Sequence, residues 1–188
     1  MERIYRNICY FIIALASTSL LPSIYLIKSG YELVHVESDV VNLALNLIFY
    51  LGGPLVLSLI SLQWMVSQSD DSITNDINAI SPVNNEYLPV YLGYIFVSLS
   101  IPTPENGGAD WLTLIIVYLL ISLFVTYSKT LFFNPIFIVL GYGYYQVTTE
   151  NGVKVFVMTK RKIRKTGGKP TFPNLKKVND LVYIDIDK

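Results

Sequence analysis

Four apolar runs govern what this chain can fold into. Ile8 to Ile27 holds twenty residues without a charge, Val40 to Val66 twenty-seven, and Trp111 to Tyr127 seventeen. A helix rises about 1.5 Å per residue, so twenty residues reach about 30 Å, the thickness of a bilayer's hydrocarbon core. Tyr87 to Ile101, at fifteen residues, is too short alone. Begun instead at Ser81 as N-cap, with Pro82 in the first turn, it attains the required length. Ala14-Leu15-Ala16 has the look of a signal-peptide cleavage site, but the apolar run continues past it to Ile27, so a retained span is expected.

Basic residues orient these runs. Lys28 is the only Lys or Arg between residues 7 and 128, a stretch with nine acidic residues. Arg3 and Arg6 precede the first run, and from residue 129 onward eleven basic residues stand against four acidic ones. Cytoplasmic flanks carry the excess of Lys and Arg. Both termini are therefore expected inside, which requires an even number of spans. The expected fold is an α-helical integral membrane protein. A four-span helical bundle covers residues 1–133, with spans at about 8–27, 40–66, 82–101 and 111–133. A small basic cytoplasmic module built on a β-hairpin covers 134–188. Composition agrees: 15% of residues are charged, against about 25% in soluble domains.

Pro22, Gly53-Pro54 and Pro89 fall inside or at the start of spans and are expected to kink them. Asn42, Asn46 and Gln63 could hydrogen-bond between helices. Residues 67–80 read either as a short amphipathic helix, with Ile73, Ile77 and Ile80 on one face, or as a solvated loop.

In the tail the period changes. Tyr144–Thr149 and Val153–Thr159 flank Asn151-Gly152, a hairpin signal. Setting Glu150 opposite Val153 puts Tyr145, Val147, Phe156 and Met158 on one face, a candidate docking surface. Leu181 to Ile186 offers a third strand. The glycines of Gly141-Tyr142-Gly143 are expected to allow a tight entry to the first strand.

The run Lys160, Arg161, Lys162, Arg164 and Lys165 is the one dense charged feature. It fits first a topology determinant or an anionic-lipid contact, with a protein or nucleic-acid contact as the alternative. Catalysis finds no foothold: there is no nucleophile–base pair, and His35 and Cys9 stand alone. No metal-ligand spacing and no cofactor site is present. The expected spans carry no ionisable residue near their centres, which weakens a pump or secondary-transporter reading.

The overall layout, together with Asn134-Pro135 and the stretch Gly141-Tyr142-Gly143-Tyr144-Tyr145-Gln146-Val147, resembles KwaA, the membrane component of the Kiwa anti-phage defence system. That resemblance implies a homo-oligomeric protein of the bacterial inner membrane that senses phage at the envelope. It also implies a cytoplasmic, DNA-binding effector (KwaB) as partner, with nucleic acid met only through that partner. It supplies no catalytic residue. A sensor or scaffold that recruits an effector through residues 144–188 is the first expectation. A small channel or transporter subunit and a membrane immunity-type protein are the alternatives.

Overall fold

The computed structural model describes residues 2–73, 77–83, 87–105, 108–128, 133–149, 152–163 and 171–187, with side chains from Asn7 onward. The chain forms two compact units: Met1–Leu59 with Pro89–Ser128, and Ile60–Leu88 with Lys129–Lys188. The tail unit thus takes in residues 60–88, so residue 133 is not a simple boundary between helices and tail.

In the first unit, α1 (Glu2–Thr18) and α2 (Leu20–Ser29) meet at a bend of 40°. Pro22 has no N–H to return to the Thr18 carbonyl four residues back, which breaks the ladder there. Ser17 and Thr18 hydroxyls donate to the Ala14 carbonyl at 2.9 Å, back-bonding of the kind that bends helices. The expected kink is therefore real. The helix α3 (Asp39–Val66) instead runs unbroken through Gly52-Gly53-Pro54. Pro54 frees the Tyr50 carbonyl, and Ser23 Oγ donates to that oxygen at 2.6 Å. A neighbouring helix thereby satisfies the group that the proline released.

The helix α5 (Trp111–Ser128) starts on Asp110, whose carboxylate accepts from Thr113 N at 3.1 Å and Thr113 Oγ1 at 2.7 Å, an N-cap. Those bonds hold the Asp110 carboxyl below its ordinary pKa. α1 packs on α5, where Thr18 Oγ1 and Ser122 Oγ share a hydrogen bond at 2.9 Å and Tyr118 OH donates to the Leu15 carbonyl at 2.7 Å. Asn42 and Asn46 hold the 31–36 segment rather than a helix: Asn46 Oδ1 accepts from Leu33 N and Val34 N. Gln63 is exposed.

The four-span helical bundle does not form. α4 spans only Leu88–Ser100, thirteen residues or about 20 Å. Among the described residues, two helices, α3 and α5, are long and apolar enough to cross a membrane, or three if the bent α1–α2 pair counts as one. The third run comes up short because Ser81 and Pro82, expected as its cap and first turn, end strand β2 (Ile77–Pro82). Pro89 then sits in the first turn of α4, where a missing N–H is harmless, and makes no kink.

The larger correction is the sheet. In place of one hairpin, the second unit carries six described strands in the order β1-β5-β6-β4-β3-β2. These are β1 (Asp70–Ile73), β2, β3 (Gly143–Thr149), β4 (Lys154–Thr159), β5 (Phe172–Lys177) and β6 (Val182–Asp185). β4 and β6 are parallel and every other pair is antiparallel. It follows that β1 and β2, at opposite ends of the order, run in the same direction. Three residues join them, so Ile73 and Ile77 lie within about 14 Å of chain reach. A flat six-stranded sheet would hold its edges about 24 Å apart. The sheet therefore curls, with β1 bonded to β5 at one end of the order and β2 to β3 at the other. Register shifts at Asp71/Ile73 and Ile77/Ala79 flank the link, where bulges sharpen the bend.

The concave core contains Ile77, Val147, Val155, Val157, Phe172, Leu175 and Tyr183, with Ile73, Ile80 and Ile163 packed against it. The three isoleucines with helical spacing are thus strand residues facing one core, and the amphipathic helix expected at 67–80 is absent from its described residues.

Candidate functional site

The hairpin's register settles which tail residues share a surface. Thr149 N donates to the Val153 carbonyl and Gly152 N to the Thr149 carbonyl, both at 2.9 Å, which places Thr149 opposite Val153. Three residues therefore form the loop, with Gly152 at φ 77°, the left-handed conformation of a G1-type turn. The two-residue Asn-Gly loop expected from sequence is one residue shorter. A slip of one residue turns side chains to the other face. Tyr145 pairs with Val157 and Val147 with Val155, while Phe156 pairs with Gln146 and Met158 with Tyr144. Tyr145 and Val147 therefore lie on the concave side and Phe156 and Met158 on the convex side, so the four do not form one docking surface. Val147 and Met158 are buried as well.

The convex side is covered locally. The short helix α6 (Pro135–Val139) is capped by Asn134, whose Oδ1 accepts from Ile136 N at 2.9 Å, with Pro135 at its start. It closes in a Schellman turn, where Tyr142 N donates to the Phe137 carbonyl at 2.9 Å and Gly141, at φ 88°, supplies the left-handed residue. This is the tight strand entry that the glycines implied. Phe137 is fully buried, and Phe133 lies 4.2 Å from Tyr144, centroid to centroid. Burial raises the Tyr144 phenol well above its ordinary pKa and that of Tyr142 less so.

The basic run divides on inspection. Arg161 Nε donates to Asp185 Oδ2 at 2.7 Å, and Thr159 Oγ1 donates to the same oxygen at 2.7 Å. The Asp185 side chain is completely buried, and the guanidinium also lies over the Phe172 ring at 5.1 Å. Arg161 is therefore structural: it neutralises a carboxylate that the fold has taken out of water. Lys160 Nζ sits 4.7 Å from the centre of the Tyr142 ring. Lys162 is exposed. Arg164 and Lys165 lie outside the described residues. No sequence signal marked Asp185 as the partner of Arg161, because twenty-four residues separate them and the parallel β4–β6 pairing unites them.

In the helical unit the usual burial rule is inverted. Along α3 the buried positions are Asn42, Asn46, Tyr50, Pro54, Ser58, Ser61 and Met65, a stripe at helical spacing. Leu43, Ile48, Phe49, Leu51 and Val56 are all more than half exposed. On α5 Ser122 is fully buried while Leu112 is 72% and Phe124 66% exposed. Along these two helices the buried stripe is mostly polar or small and the exposed faces are aliphatic and aromatic.

Among the described residues no three His, Cys, Asp or Glu side chains group to hold a metal ion. The profile of a protein family described as "Anti-phage protein KwaA" matches residues 8–184. No curated protein and no solved structure matches the chain significantly.

Proposed function

The chain belongs to the KwaA family of anti-phage proteins and its role lies in anti-phage defence; from that premise we propose that it is a membrane-embedded sensor and scaffold whose sheet unit engages a cytoplasmic effector. The observation that carries the membrane part is the inverted burial of α3 and α5. Exposed large aliphatic and aromatic side chains recur along both helices, whereas soluble monomers rarely expose extended contiguous apolar patches. The basic excess after residue 129 favours the cytoplasmic side for the sheet unit.

Coupling has a covalent basis. The chain passes between the helical and sheet units three times, after Leu59, Leu88 and Ser128. A change in helix packing is then transmitted to a curled sheet whose strands β1 and β2 are inserted between α3 and α4. The effector, a KwaB-like DNA-binding protein in the family's terms, would read that change at the sheet surface. A polar conduction path finds less support: the buried hydroxyls of Ser17, Thr18, Ser19 and Ser98 are engaged with helix carbonyls.

The test is capture of a soluble partner by the tagged full chain from native membranes, repeated with the charge reversal Lys162→Glu, at an exposed side chain that makes no hydrogen bond among the described residues. Loss of capture with normal membrane content supports docking on this unit. Capture at full strength by Lys162→Glu, and by a second reversal at exposed Lys154, overturns it. Ion flux through reconstituted vesicles in the absence of partner would favour the channel alternative.

A further inference from the structure

We propose that α6 and the adjoining loop form an interfacial anchor that rests the sheet unit on an anionic lipid surface. This inference depends on the membrane reading above. α6 buries Phe137, whose ring centre lies 6.2 Å from that of Tyr142, and leaves Ile138 37% and Val139 86% exposed. Val139 is the most exposed large aliphatic among the described residues of this unit, ahead of Leu88 at 61%, Val153 at 50% and Ile186 at 42%. Beside it is Tyr142, half-buried, with an apolar body and a polar tip, the residue type of membrane interfaces. Over that ring lies the Lys160 ammonium. Aliphatic tip, amphipathic ring and cation are the three components of a headgroup-level contact.

Two further observations favour lipid over a protein partner. The Schellman turn fixes Val139 and Tyr142 on one six-residue corner, Phe137 to Tyr142, which suits a shallow planar contact better than a groove. Two acidic groups that the fold brings to strand β4's exit, Asp185 and Asp187, are directed to Arg161, at 2.7 Å and 3.9 Å. They leave the Lys160 charge to act outward on phosphates. In sequence, six residues, 129–134, separate α6 from the apolar α5.

The experiment uses the full chain in a Cys9→Ala background, reconstituted in vesicles with or without phosphatidylglycerol. A spin label is placed at Val139→Cys and, in a separate sample, at Leu120→Cys on α5. Paramagnetic quenchers then report immersion: oxygen partitions into lipid and a nickel chelate into water. The expected result is oxygen-dominated relaxation at residue 139 only when anionic lipid is present. Lys160→Gln should shift the docked-to-undocked ratio about fivefold, the effect of one surface cation near anionic lipid. Nickel-dominated relaxation at 139 with oxygen-dominated relaxation at 120 overturns this inference and leaves the membrane reading intact. Nickel-dominated relaxation at both sites overturns the membrane reading. A label at 139 shielded from both quenchers shows a protein contact instead, and also overturns the anchor.

Discussion

Ser23→Ala should destabilise the helical unit far more in the natural sequence than when Pro54 is also replaced. Pro54 lacks the N–H that would close a hydrogen bond to the Tyr50 carbonyl, and Ser23 Oγ fills that vacancy at 2.6 Å, in a site where both residues are about 95% buried. Removing the hydroxyl leaves a carbonyl without its donor, a loss of about 1–3 kcal/mol in a buried site. Interhelical bonds in membranes average nearer 0.6 kcal/mol and reach about 1.7, so about 1.5 kcal/mol is the working figure. At roughly 4–8 °C per kcal/mol for a unit of this size, the midpoint should fall about 6–12 °C. Pro54→Ala restores the in-helix bond to Tyr50, and Ser23→Ala in that background should change the midpoint by no more than about 2 °C. Thermal unfolding of the four proteins in one detergent, followed by intrinsic fluorescence, completes the cycle. Equal losses in both backgrounds would refute the reasoning, because the hydroxyl would then act independently of the proline.

The remaining predictions concern the other surfaces. Arg161→Met strands the buried Asp185 carboxylate, a loss of about 3 kcal/mol, so amides of β4 and β6 should exchange about a hundredfold faster; the double variant Arg161→Met, Asp185→Leu should recover most of it. If the single variant exchanges at the natural rate, the ion pair is not what holds this corner. Cysteines at Thr148 and Lys154, a directly opposed pair, should oxidise to a disulfide, whereas Thr148 with Val155 should not; the reverse outcome restores the two-residue loop. Leu51→Asp, mid-helix and outward on α3, should lower membrane insertion by about 2.5–3.5 kcal/mol, read by alkaline extraction; a neutral result would mean that α3 faces water. Glu32 is held below its ordinary pKa chiefly by hydrogen-bonding to His35, and it also accepts from Asn42 Nδ2 at 2.7 Å. A depressed carboxylate stabilises the fold above its unfolded pKa and loses that contribution as pH falls through the folded value. Exchange in residues 31–36 should therefore rise only on acidification below the ordinary glutamate range, and Glu32→Gln should abolish that pH dependence.

Apolar length marked α3 and α5 in advance, since an uncharged run of seventeen residues or more is long enough for a single apolar helix whatever it later packs against. Local chemistry also revealed the Pro22 kink, the hairpin's existence and the glycine-rich strand entry, because each depends on residues within one or two turns. Asp185 and Arg161, Ser23 and Tyr50, and the strand character of Asp70–Ile73 and Ile77–Pro82 were not legible. Each is made by a partner distant in sequence, and Ile73, Ile77 and Ile80 match a helical stripe as well as they match two half-strands around a bend. The hairpin's register depended on one residue of loop length, which the dipeptide Asn-Gly does not specify. Family membership follows from the sequence. The tertiary structure decided which of its charges are spent inside the fold, because burial and pairing exist only once distant segments meet.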